Sequence, residues 1–93
     1  MNRINYGYVV NVAKVANVLH AAEVPYTCNQ IFDGWQLRFP WCNGDIACHS
    51  GTYGNQEGKV ESFCFPWDEG SVSVLEPVRM ARKIIAYYEE TRA

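Results

Sequence analysis

Phe32-Asp33-Gly34-Trp35-Gln36-Leu37-Arg38-Phe39-Pro40-Trp41-Cys42-Asn43-Gly44-Asp45-Ile46 carries the information that decides the fold. Asp-Gly and Asn-Gly are the dipeptides that most readily take the positive φ angles of a two-residue hairpin turn. Each is flanked by apolar and β-prone residues. The pair of turns predicts three antiparallel strands, at residues 26–32, 35–41 and 45 to about 50, with Trp41-Cys42 and Asp45-Ile46 flanking the Asn43-Gly44 turn. A fourth strand is expected at 59–65, after a glycine-rich loop at 51–58.

Outward from this block, residues 8–22 read as a helix. Val9, Val12, Val15, Ala16, Leu19 and Ala22 recur at helical spacing, and Val24-Pro25 ends the run because the residue before proline leaves the α region. A second helix opens at Glu76-Pro77, a cap position followed by proline at the first helical residue. Val78, Ala81, Ile85 and Tyr88 form its apolar stripe, widened by Met80, Ile84 and Tyr87. The expected architecture is α+β: an antiparallel meander of three to four strands with both helices on one face, α-β-β-β-β-α. At 93 residues the chain is expected to form one domain, 1–93.

Two-residue turns fix register, and register fixes faces. With Asn43-Gly44 as a turn, Trp35, Leu37, Phe39, Trp41, Ile46 and Cys48 share the helix-covered face. Asp33-Gly34 adds Tyr26, Cys28 and Phe32, and Phe63, Phe65 and Trp67 fit the same face. The other face then shows Thr27, Asn29, Gln36, Arg38, Cys42, His49, Ser62 and Cys64. Arg38 is expected opposite His49.

Phe-Pro-Trp-x-x-Gly occurs twice, at 39–44 and 65–70. Proline marks a strand end or edge, so both copies are expected at one end of the sheet. Trp41, Trp67, Phe39 and Phe65 form a candidate aromatic shelf for a small ligand such as a nucleotide. The face assignment turns these rings mainly inward. What they leave outside is the acidic turn pair Asn43-Gly44-Asp45 and Asp68-Glu69-Gly70. Asp45, Asp68 and Glu69 are therefore candidate partner contacts, with Arg38, His49 and Tyr53 as the alternative surface.

Eight basic and ten acidic residues give a net charge of −2. Without a basic excess, nucleic acid is not an expected direct partner. No apolar run approaches the ~20 residues of a membrane span. Met1 to Tyr6 shows no signal-peptide core, so the expected location is the cytoplasm, and the bacterial host's if the protein is phage-encoded. There the four cysteines Cys28, Cys42, Cys48 and Cys64 are expected as thiols. Their spacings match no zinc pattern, and neighbouring Cys48 and His49 point to opposite faces of a strand, which separates nucleophile from base. No catalytic residues, metal site or cofactor are expected. A thiol-metal site is the third-ranked reading. Met80, Ile84 and Tyr87 are a candidate homodimer seam, because the apolar half of the second helix is wider than a small sheet must cover.

An α-β-β-β-α order resembles the double-stranded RNA-binding fold, but Glu76-Pro77-Val78-Arg79 stands where that family opens its last helix with a basic cluster. The run Gly34-Trp35-Gln36-Leu37-Arg38-Phe39-Pro40-Trp41, in a compact cytosolic design, resembles small uncharacterised phage and prophage proteins. That group includes anti-CRISPR and other anti-defence inhibitors. The resemblance implies a non-enzymatic module that occludes the surface of a host or defence protein.

Overall fold

The computed structural model describes residues 3–93. Helix α1 spans Tyr6–Ala21, five strands follow as β1 Thr27–Ile31, β2 Gly34–Arg38, β3 Asp45–Cys48, β4 Val60–Phe63 and β5 Val72–Leu75, and helix α2 spans Pro77–Arg92. The strands form one antiparallel sheet in the order β1-β2-β3-β4-β5. The α+β layout matches the expectation, with one strand more. Residues 72–75 alternate Val-Ser-Val-Leu and return along β4 after the Asp68-Glu69-Gly70 turn.

Both helices have local causes. Asn5 caps α1, its Oδ1 accepting from the N–H groups of Gly7 and Tyr8 at 3.0 and 3.4 Å. At the other end Glu23 takes φ 58°, Val24 N–H donates to Leu19 O, and Glu23 N–H donates to His20 O. This is a Schellman closure, completed by burial of both Val24 and Leu19. Pro77 starts α2 behind Glu76.

Tyr8, Val12, Val15, Ala16 and Leu19 of α1 meet Leu37, Ile46, Cys48 and Val60 of the sheet, and Met80, Ala81 and Ile84 of α2 close the core. Each large aliphatic side chain so enclosed contributes roughly 1.5–3 kcal/mol. Helix α1 lies on β2 and β3, and α2 lies beside α1 and reaches β4. Met80 and Ile84 are wholly enclosed in this core. The dimer seam drawn through Met80, Ile84 and Tyr87 is therefore not presented; of the three, only Tyr87 is even partly exposed.

Both hairpin registers differ from expectation, for reasons the backbone shows. Ile31 pairs with Gly34, so the first turn is Phe32-Asp33 and Gly34 lies inside β2. A Cβ at Gly34 would stand 1.8 Å from the Cys48 carbonyl oxygen, so this glycine serves close strand approach rather than the turn. The left-handed position falls instead to Phe32, at φ 52°. At the second connection Arg38 pairs with Asp45, which makes residues 39–44 a six-residue loop. Arg38 consequently faces Asp45 rather than His49. Both shifts move the pairing by an even count, which keeps Trp35, Leu37, Ile46 and Cys48 on the helix side as expected.

In β4 the faces are reversed. Ser62 pairs with Ile46 and is fully buried, whereas Phe63 pairs with Asp45 and is 46% exposed. Val60 sets this parity by entering the core. Cys64, at φ 66°, breaks the alternation and returns Phe65 to the interior. Cys42 also departs from expectation, packing half-buried against the core. Cys28 keeps its helix-side parity but is exposed, because β1 projects beyond the helices.

Candidate functional site

The two Phe-Pro-Trp elements do meet at one end of the sheet. Phe39 and Phe65 lie 5.7 Å apart, Phe65 stacks on Trp67 at 4.6 Å, and Trp41 packs on Tyr88 at 4.8 Å. Phe39 and Phe65 are buried, and Trp41 and Trp67 are half-buried. A Cβ at Gly44 of the first element would enter the Phe65 ring of the second at 2.6 Å, so each copy shapes the other. Both indole N–H groups are used internally, Trp41 to Pro25 O at 2.9 Å and Trp67 to Ser62 Oγ at 3.1 Å. Of the proposed shelf, Trp67 alone lines a cleft, of about 210 Å³, with Lys83, Tyr87 and Glu90. Lys83 already sits over its ring at 5.0 Å.

Asp68, one of the candidate contacts, is turned inward and only 4% exposed. Its Oδ1 accepts from Ser62 Oγ at 2.8 Å and its Oδ2 from Phe65 N–H at 3.0 Å. Those bonds make it a group of the fold rather than a contact. Glu69 is exposed at the turn, at φ 46°. Asp45 lies near enough for the Asp68 charge to act on it.

The helix-free face of the sheet carries the more organised surface. Strand pairing lays two rows across it: Asn29, Gln36, Ala47, Glu61 and Val74, then Thr27, Arg38, Asp45, Phe63 and Val72. Ala47 is the small residue at the centre. Around it runs a groove of about 310 Å³, bounded by Ile31, Phe63 and Val72 and by Asp45, Glu61 and His49. Asn29 Nδ2 donates to Gln36 Oε1 at 3.0 Å on its flank. Burial pushes the Asp45 carboxyl up from its ordinary range; Arg38 opposes this, and Asp68 and Glu61 add to it.

One rim of the groove is a tightly bonded loop. His49 O accepts from Thr52 N–H, Thr52 Oγ1 and Asn55 Nδ2 at 3.0, 2.9 and 2.7 Å. Gly51 N–H donates to His49 Nδ1 at 2.9 Å, which assigns the ring proton to Nε2. Phe32 packs on His49 with centroids 5.0 Å apart. Tyr53 N–H donates to Glu61 at 3.0 Å, and the Tyr53 ring is 71% exposed. Arg38 and His49 are on this face, as the strand parity implied; Tyr53 stands beside it, and Asp45, expected in the acidic turn pair at the sheet end, lies in it as well. Phe63, Glu61, Val72 and Phe32 were not among the candidates. Val60, read as a core anchor, would have turned Phe63 outward.

Phe32, 58% exposed and packed on His49 at this face, takes left-handed backbone at φ 52°, and Cys64, directly after Phe63, does so at φ 66°. Bulky residues in that region cost about 1–3 kcal/mol each and collect at functional sites. The cysteines do not assemble: Cys28 and Cys64 are exposed, Cys42 half-buried and Cys48 buried. Among the described residues no group of three or more His, Cys, Asp or Glu side chains is arranged to hold a metal ion. No described helix is long and apolar enough to cross a membrane.

The class defined by this geometry is a five-stranded antiparallel sheet backed by two helices, with an aromatic-edged groove on its uncovered face. Comparison with family models, curated proteins and solved structures finds no match to this chain.

Proposed function

We propose that the protein is a non-enzymatic binding module that occludes a partner protein's surface through the helix-free face of its sheet. The observation that carries this reading is the outward Phe63. An exposed aromatic on the uncovered sheet face, between Asp45 and Val72, gives up burial that the fold could otherwise gain. Phe32, Tyr53, Val72 and Ile31 extend the apolar surface, and Asp45, Glu61 and Arg38 supply charges that fix register with a partner. The resemblance to phage-type inhibitors makes a bacterial defence protein, such as a CRISPR nuclease, the partner class to try first, in the host cytoplasm. The test is capture and activity assay against a panel of purified defence nucleases. Retention and inhibition by the wild type supports the reading; neither, across the panel, refutes it for that class.

The nucleotide-binding alternative rests on the cleft beside Trp67. At about 210 Å³ it is smaller than the ~300–1,000 Å³ typical of ligand pockets, and Lys83 covers the ring a base would stack on. It ranks second. Trp67 fluorescence that stays unchanged across a nucleotide panel would exclude it for those ligands.

A further inference from the structure

The groove's chemistry selects a kind of side chain. Asp45 and Glu61 lie diagonally across the β3–β4 pair, because Asp45 is opposite Phe63 and Ala47 is opposite Glu61. Diagonal neighbours of this kind stand about 7–8 Å apart at Cα, with the small Ala47 on one side of the line between them and the Phe63 ring on the other. Arg38, paired with Asp45 across β2 and β3, answers only part of their charge. Among the described residues the one close ion pair joins Lys59 to Glu57, and Asp45, Glu61 and Arg38 enter none. Apolar surface from Phe63 and Val72 borders the same space.

We propose that this groove receives an arginine side chain of the partner protein, its guanidinium between Asp45 and Glu61 and its methylenes along Phe63 and Val72. The inference rests on the binding-module reading and names the chemistry of the partner. A guanidinium is planar, carries donors on several edges to serve two carboxylates, and packs on an aromatic face. Lysine offers a single, more strongly hydrated charge. The raised Asp45 carboxyl fits this occupant: burial, aided by the Asp68 and Glu61 charges, outweighs the opposing Arg38 charge and disfavours its ionised form, and an incoming cation relieves that cost.

The test is a titration of the isotope-labelled protein with acetyl-Gly-Arg-Gly-amide, followed by amide and side-chain chemical shifts. The controls are the same peptide with citrulline, which keeps the shape and lacks the charge, and with lysine. Shifts centred on Asp45, Ala47, Glu61 and Phe63 are expected with arginine, weaker with lysine and absent with citrulline. Asp45→Asn is expected to weaken arginine binding on the order of tenfold, one charge-assisted hydrogen bond being lost. Glu61→Gln keeps an acceptor for Tyr53 N–H, so its loop is retained while the charge is removed, and it is expected to weaken binding similarly. No localised shifts with arginine, or equal shifts with citrulline, overturn the proposal. If these peptides fail while Phe63→Glu abolishes capture of a protein partner, the arginine assignment falls alone. If the wild type also captures no partner, both fall.

Discussion

Ser62 and Asp68 are joined inside the protein, the Ser62 hydroxyl donating to Asp68 Oδ1 at 2.8 Å and accepting from Trp67 Nε1 at 3.1 Å. The second Asp68 oxygen takes the Phe65 N–H at 3.0 Å, and Asp68 N–H returns a bond to Phe65 O at 2.9 Å. A buried serine in the middle of β4 is thus satisfied by the turn that follows it, and the Phe-Pro-Trp element is locked to the sheet. Asp68→Ala leaves a buried hydroxyl and a buried N–H without their acceptor, at about 1–3 kcal/mol each. The expected result is a cooperative unfolding transition moved to clearly lower urea concentration, with the slope kept.

Gly34→Ala is expected to destabilise by about 1–3 kcal/mol or more, since its Cβ would overlap the Cys48 carbonyl and strands β2 and β3 would have to part. Thermal melts of the two proteins decide it. An unchanged melting temperature would show that Gly34 does not serve close packing.

Those two glycines at hairpin signals show how far the sequence could be read. Asp33-Gly34 and Asn43-Gly44 correctly announced antiparallel connections and, through parity, the helix-side faces of β2 and β3. They did not give the turns themselves. Gly34 is needed for backbone approach and Gly44 for the Phe65 ring, demands set by residues distant in sequence. Strand β5 was missed because four residues of alternating Val and Ser, behind a turn, were too short to stand out. The outward Phe63 was missed because it was read on the same face as the inward Phe65, and the left-handed backbone at Cys64 that separates them is nothing its side chain gives reason to expect. Arg38 and His49 were placed on the right face because polar alternation survives even shifts of register, whereas Asp45 was read as part of an end turn because the loop before β3 was read as a two-residue turn. Asp68 was misjudged because a charged turn residue was read as solvated, whereas it caps a buried serine.

Asp45 gives a pH-dependent prediction. Folding raises its carboxyl above the unfolded value, chiefly by burial, so the native state holds this proton more tightly. Ionised Asp45 therefore costs stability above its folded pKa, and the cost vanishes below the unfolded value of about 3.9. Asp45→Asn is expected to melt higher than the wild type at neutral pH, with the difference shrinking as pH falls toward that value. A difference that is constant or grows in acid contradicts the assignment.

The thiols should separate by reactivity. Cys28 and Cys64 are exposed, whereas Cys48 is enclosed, receives a bond from Asn11 Nδ2 at 3.6 Å, and is pushed up by burial. Iodoacetamide under native conditions is expected to modify Cys28 and Cys64 readily and to spare Cys48 until denaturant is added, as read by peptide mass mapping. Rapid native modification of Cys48 would mean that the α1–sheet contact opens easily.

The account turns on which side of the molecule meets a partner. Phe63 is exposed on the helix-free face, and Val78 is similarly exposed, at 43%, on α2. Matched variants Phe63→Glu and Val78→Glu therefore add one charge at an accessible apolar site on either side. Both should fold as the wild type does, by circular dichroism. In capture against the defence-nuclease panel, the prediction is that Phe63→Glu abolishes retention of any partner that the wild type holds and Val78→Glu retains it. Retention by Phe63→Glu and loss by Val78→Glu would contradict the sheet-face account directly.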